Sequence, residues 1–248
     1  MSDSKKIFFL SDLHLGMYPE EVSRSREIKV VQWLESIYRE ASEIYLLGDT
    51  FDYWYEYRKV IPKGFTRFLG KIAEITDAGV KVNMFTGNHD VWIFDYLPKE
   101  IGVEVFRHPV IREYGGKKFY IAHGDGLGPG QMGFKLLKWL FTSKTAQWLF
   151  SRIHPNASIS FAHGWSKKSR HAKGVSVDFL GNDKEYLVLH AREKLKEEAF
   201  DYFIFGHRHL PLEVELTKDS TLVYLGDWIE NFSYAVLDGS TLSLKKLD

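Results

Sequence analysis

The 248-residue chain carries 33 Lys and Arg against 33 Asp and Glu, and 44% of its residues are hydrophobic. This balance gives no general attraction for nucleic acid, and the absence of cysteine excludes disulfides, thiolate metal ligands and a thiol nucleophile. No stretch approaches the ~20 apolar residues that span a bilayer, and the short apolar run Ile7 to Leu10 lacks the length of a signal-peptide core, so a cytoplasmic protein is expected.

Lys6 to Ser11 reads as a buried strand, followed by a helical pattern from about Ser23, a candidate cap, to Glu40. Ile44 to Leu47 is a second strand, Phe65 to Ala78 a second helix with Gly79 as its C-terminal cap, and Val80 to Phe85 a third strand. This alternation predicts parallel crossovers. Val105 to Tyr114 and Lys117 to Ala122 then read as strands joined at Gly115-Gly116. Gly130 to about Arg170 is helical and interrupts the fold. Lys184 to Phe200 is a helix, Tyr202 to Phe205 a strand, and the remainder four antiparallel strands whose last hairpin turns at Asp238-Gly239.

The predicted strands end in ligand-capable residues: Asp12-Leu13-His14, Gly48-Asp49-Thr50-Phe51-Asp52, Gly87-Asn88-His89-Asp90, His123-Gly124-Asp125 and Gly206-His207-Arg208-His209. Ligands of open α/β sheets gather beyond the carboxyl ends of strands, so these groups converge although some 200 residues separate them. Asp, His and Asn without thiolate suit Mn, Fe or Zn and do not choose among them. Two such ions about 3.5–4 Å apart can clamp both oxygens of an in-line displacement at phosphorus. Taken singly, Asp12 or Asp49 reads as a cap or turn residue and His123 as a packed histidine. Five such motifs in this order are hard to obtain from packing alone.

These residues resemble the calcineurin-like metallophosphoesterase superfamily, with its D-x-H, G-D-x-x-D, G-N-H-D/E, H and G-H-x-H pattern. The resemblance implies an α/β fold, a two-sheet αββα sandwich, and two divalent metal ions, with manganese the expected metal. It implies Asp12, His14, Asp49 and His209 as ligands of one ion, and Asp49, Asn88, His123 and His207 as ligands of the other. Asn88 and His207 would also contact substrate, His89 would donate to the phosphoryl oxygen or leaving group, and Asp52 would orient His89. Tyr53-Trp54 after Asp52 argues against the protein Ser/Thr phosphatases. The Gly-Asp-Thr-Phe-Asp-Tyr-Trp run is instead similar to the UDP-2,3-diacylglucosamine pyrophosphatases of lipid A synthesis, as is Leu225-Gly226-Asp227-Trp228. That family inserts a helical lid after His-Gly-Asp, and Ser166, Arg170 and Lys173 fall at the spacing of its substrate-holding residues. Two departures stand out: better-known members have Arg where this chain has His89, and Gln131 and Arg170 replace an Asp and an Asn.

Residues 127–174 supply the matching insertion within an otherwise single domain, 1–248. It holds eight basic residues and no acid, while the other 200 residues carry 25 basic and 33 acidic side chains. Leu136, Leu137, Leu140 and Phe141 are expected to share one helical face, with Lys135 and Lys138 elsewhere. Most such faces pack on their own domain, but the excess of Trp, Phe and positive charge suits an anionic membrane surface and a substrate with acyl chains. The expectation is hydrolysis of UDP-2,3-diacylglucosamine by a peripheral inner-membrane enzyme, with no nucleic-acid or protein partner. The alternatives are another metal-dependent phosphodiesterase or nucleotide pyrophosphatase with an apolar substrate, or a scaffold that has lost its metals. His108, His154 and His190 match no motif and read as surface or packing residues.

Overall fold

The computed structural model describes residues 5–161, 164 and 178–247. Strand β1 (Lys6–Leu10) lies at the centre of a six-stranded sheet. It runs parallel to β2 (Ala41–Leu47), which pairs in turn with β3 (Lys81–Phe85) and β4 (Glu104–Phe106), all parallel. The crossovers are α1 (Glu20–Ile37) and α2 (Thr66–Asp77). A second, five-stranded sheet has β5 (Val110–Tyr114) and β6 (Lys117–Ala122) as a hairpin through Gly115-Gly116, both at positive φ. Strand β7 (Tyr202–Phe205) and β9 (Ser220–Leu225) follow parallel to β6, and β8 (Pro211–Thr217) closes the edge antiparallel to β9. The hairpin β10 (Ser233–Asp238) and β11 (Thr241–Lys246) returns to the first sheet beside β1.

The strand period of two assigns each side chain to a layer. In β1, Ile7 and Phe9 enter the core between the sheets, whereas Phe8 and Leu10 meet α1 and α2. In β6, Phe119 and Ile121 face the first sheet, and Tyr120 and Ala122 face α5 (Tyr186–Glu197). The layers are therefore helix, sheet, sheet, helix, the expected αββα sandwich. Phe9 is fully buried at its centre, stacked on Tyr45 at 5.0 Å between ring centroids.

Four boundaries differ from expectation. The expected strand Val105 to Tyr114 is two strands: β4 ends the first sheet at Phe106, and Arg107-His108-Pro109 carries the chain to the second. Proline has no N–H for a ladder there. Helix α1 starts at Glu20, directly after Pro19, and Ser23 uses its hydroxyl to accept from the Gly16 N–H at 2.7 Å instead of capping. Helix α5 is shorter than Lys184 to Phe200, because Glu185 adopts an extended conformation ahead of it. The insertion is broken into α3 (Met132–Thr142), α4 (Lys144–Phe150) and a helical stretch at 155–161, with Ser143 extended between the first two.

Replacing Phe9 by Ala removes a large ring from a site that two sheets cannot collapse around. The expected cost is about 3–5 kcal/mol, read as a lowered midpoint in urea denaturation.

Candidate metal centre

β1, β2, β3, β6 and β7 point their carboxyl ends to the same edge of the sandwich, and every predicted motif follows one of them directly. The loops there are tightly wound. Asp12, His14, Asp49, His207 and His209 all adopt positive φ, between 44° and 63°, conformations that side-chain-bearing residues seldom hold without a compensating role. Close approach dictates two glycines. A Cβ on Gly48 would stand 2.6 Å from the His123 ring, and one on Gly87 would stand 2.1 Å from Asp49 Oδ1. No larger residue fits either place.

Two groups result. Asp12, His14 and His209 gather their ligand atoms within 4.8 Å of one another, and so do Asp49, His123 and His207. Asp49 stands between the groups: its Oδ2 lies 3.4 Å from His123 Nε2 and 3.8 Å from His14 Nε2. His89 joins His14 and Asp49 in a third such set, and its ring meets that of His14 edge-on at 4.7 Å. Asp12 Oδ1, His14 Nε2, His123 Nε2 and Asn88 Oδ1 are all buried without a hydrogen-bond partner. Orphaned buried polar atoms are costly. Four of them among these Asp, His and Asn side chains fit divalent cations.

The rings are held so that Nε2 faces inward. His123 Nδ1–H donates to the Leu47 carbonyl at 2.6 Å, while His14 Nδ1 lies 3.3 Å from Asp52 Oδ1 and His209 Nδ1 lies 3.3 Å from Asp227 Oδ2. Partners on the far ring nitrogen are what fix a metal-binding imidazole. Asp52 serves two histidines, since its carbonyl also accepts from His89 Nδ1–H at 3.0 Å.

The electrostatics follow from burial and crowding. Burial disfavours charge on His14 and His123, yet Asp12 and Asp52 beside the first, and Asp49 beside the second, raise both to about 10. Burial alone would raise the Asp12 and Asp49 carboxyls, but the surrounding imidazoles pull both below their ordinary value. His207, buried and next to cationic His123, falls to about 4. His89 is lowered by burial.

Three further contributors were not assigned roles from the sequence. Asp90, raised to about 7 by burial and by Asp49, accepts from the N–H groups of Gly87 (2.7 Å), Thr50 (2.8 Å) and Phe51, and so pins two motif loops together. Asp227 orients His209 and also accepts from the N–H groups of Ile229, Glu230 and Asn231. Arg208, between two of the histidines, forms a buried ion pair with Glu185 at 2.7 Å and donates to the Asp178 carbonyl. The motifs contain Asp90 and Arg208, but nothing local points to Glu185. Ser166, Arg170 and Lys173 lie outside the described residues.

The insertion is seated beside this centre. Tyr53, Tyr55, Val91 and Trp92, which follow Asp52 and Asp90 in sequence, form an aromatic cradle against Phe141, Phe150 and Ile159. Tyr55 donates to the Gln147 carbonyl and Trp92 Nε1 to the Phe141 carbonyl, each at 2.8 Å, and Tyr57 bonds Ser158. Phe134 sets its ring 5.8 Å from that of His207. The expected single face is split: Leu137 and Phe141 turn inward, whereas Leu136 and Leu140 are exposed. Leu136 is 65% and Leu140 47% exposed.

A dinuclear-type ligand set at the ends of parallel strands, on an αββα sandwich, defines a class, and the chain belongs to the calcineurin-like phosphoesterase family, whose profile matches residues 5–211. Membership implies divalent metal ions, and the Asp–His groups are positioned to hold them. The UDP-2,3-diacylglucosamine hydrolase of Porphyromonas gingivalis is 41% identical over 98% of both chains. The enzyme of the same name from Histophilus somni is 25% identical, over 90% of this chain and 92% of its own. Among solved structures, a phosphoesterase from E. coli superposes with a TM-score of 0.47 at 15% identity, covering 97% of this chain and 92% of that one.

In metal-free protein, folded-state values of about 10 for His14 and His123, against an ordinary 6.5, have a defined consequence. Their protons stabilise the fold fully below pH 6.5, and that contribution is lost as pH rises through about 10. Divalent cations compete with those protons. The rise in thermal midpoint on adding manganese(II) is therefore expected to grow by several degrees from about pH 6 to about pH 8, measured by scanning fluorimetry. A shift that shrinks with pH contradicts the assignment.

Proposed function

We propose that the chain hydrolyses the pyrophosphate of UDP-2,3-diacylglucosamine, giving UMP and 2,3-diacylglucosamine 1-phosphate in lipid A biosynthesis, with two manganese ions. The observation that carries the reading is Asp49, whose carboxylate stands between two ligand groups on a chain similar over its length to a hydrolase of that name. In this reading Asp12, His14, Asp49 and His209 hold one ion, and Asp49, Asn88, His123 and His207 the other. The ions would supply charge against the developing negative phosphoryl group and make water a stronger nucleophile at neutral pH.

The remaining role falls to His89. Its Nδ1–H donates to the Asp52 carbonyl at 3.0 Å, and in this reading Nε2 is the atom that meets substrate. Nε2 accepts in the neutral ring and donates in the cation, and the negative charge of a diphosphate favours the cation. The bridging oxygen leaves as a phosphate monoester, a leaving group that needs little protonation. A hydrogen bond from His89 therefore suffices where relatives of the resembled family use Arg.

The insertion, 127–174, acts as a lid. Its inward face meets the aromatic cradle, where acyl chains would lie. Its outward face exposes Met132 (75%), Leu136 (65%), Trp148 (55%) and Leu149 (58%) on a segment whose own sequence has no acid, a surface suited to the anionic inner leaflet. Among the described residues no helix is long and apolar enough to cross a membrane, so attachment would be peripheral.

Asp49→Ala and His123→Ala are each expected to lower UMP release from UDP-2,3-diacylglucosamine by about 10³-fold or more, with folding retained by circular dichroism. Full activity in both variants refutes the site. Leu136→Glu with Trp148→Glu is expected to abolish co-sedimentation with phosphatidylglycerol vesicles. Undiminished binding would remove the membrane role.

A further inference from the structure

Helix α3 carries three stripes. Phe134, Leu137 and Phe141 turn inward, and Met132, Leu136 and Leu140 lie on or toward the exposed side. The third stripe, Lys135, Lys138, Trp139 and Thr142, has helical spacing of three and four and borders a cavity of about 550 Å³. Its floor is made of buried groups: Phe85, Val91, Ala122 and His123. The opposite wall is Arg107 and His108, the crossover between the two sheets. Asp125 is the one acid among the lining residues, and Lys138 engages it at 2.7 Å. Lys135 and Arg107 thus leave the mouth cationic. Arg107 is anchored there by donating to the Ile93 carbonyl at 2.7 Å, and Trp139, 66% exposed, stands at the rim.

This composition is unlike the aromatic cradle. An apolar floor reaching His123, a cationic mouth and an indole at the edge suit a planar ring bearing one phosphoryl group. Acyl chains would gain nothing from the cations, and a bare phosphate would gain nothing from the indole. We infer that this cavity is the nucleotide subsite: it takes the UMP portion of the substrate, with the phosphoryl group between Lys135, Arg107 and the metal centre and the uracil ring against Trp139. The inference rests on the proposed substrate and adds where its nucleotide half sits. It also places Lys135, Trp139, Arg107 and His108 in substrate recognition, a role that no motif gives them.

The test is direct binding of UMP and, separately, of inorganic phosphate to manganese-loaded protein by calorimetry, for the natural chain, Lys135→Glu and Trp139→Ala. Both side chains are exposed on α3, and unchanged thermal midpoints confirm folding. UMP affinity is expected to fall about tenfold or more in each variant, with phosphate affinity unchanged in Trp139→Ala and KM for the nucleotide sugar raised more than kcat is lowered. UMP affinity that stays unchanged in both variants, or that falls in Trp139→Ala together with phosphate affinity, overturns the subsite. Failure of the natural chain to release UMP from the nucleotide sugar, with UMP affinity still lost in the variants, would overturn the substrate reading and leave the subsite. Release of UMP with affinity unmoved would do the reverse.

Discussion

Asp49 is a fully buried carboxylate held in a left-handed conformation, with Oδ1 accepting from the His89 N–H at 2.9 Å and Oδ2 facing His14 and His123. A buried negative charge of this kind persists only when cations or donors surround it. The glycines at 48 and 87 are small so that His123 and Asp49 can approach. Asp90 ties the loop after β2 to the loop after β3, and Leu47 turns His123 inward with the same carbonyl edge that ends β2. Each of these features answers to the charge on Asp49.

The sandwich makes that arrangement rigid. Five parallel-running strand ends from two sheets meet at one edge, and the core between the sheets leaves no slack for them to separate. The insertion rests on Tyr53, Tyr55, Tyr57 and Trp92 through aromatic contacts and three hydrogen bonds, so its seat follows directly from the motif loops. The insertion and the candidate metal centre are thereby neighbours through the same two loops.

Much of this was legible in the chain. Alternating strands and helices, and polar residues at each strand end, follow from local periodicity, and five motif residues, Asp12, His14, Asp49, His207 and His209, hold left-handed φ values. The failures have physical causes. Ser23 looked like a cap, but Pro19 already fixes the entry to α1. The apolar run around Phe106 hid a change of sheet at Arg107-His108-Pro109. Leu136 and Leu137 are adjacent in sequence and similar in chemistry, yet a helix turns them 100° apart, so Leu137 is half-buried and Leu136 faces solvent. Asp227 lies in a run the sequence singled out, but its partner His209 is 18 residues away, and Glu185, in no motif, pairs with Arg208 23 residues away.

The Arg208–Glu185 pair joins parts of the molecule usually treated as separate. Glu185 also receives the Leu180 N–H, and Arg208 reaches the Asp178 carbonyl, so the segment 178–185, beyond the insertion, is bound to the loop bearing His207 and His209. The chain that follows the insertion is therefore anchored, through one buried ion pair, to the loop that carries two of the candidate ligands. Any exchange of this region that extends past residue 178 has to carry a matched partner for Arg208, or it leaves a buried guanidinium uncompensated beside His207 and His209.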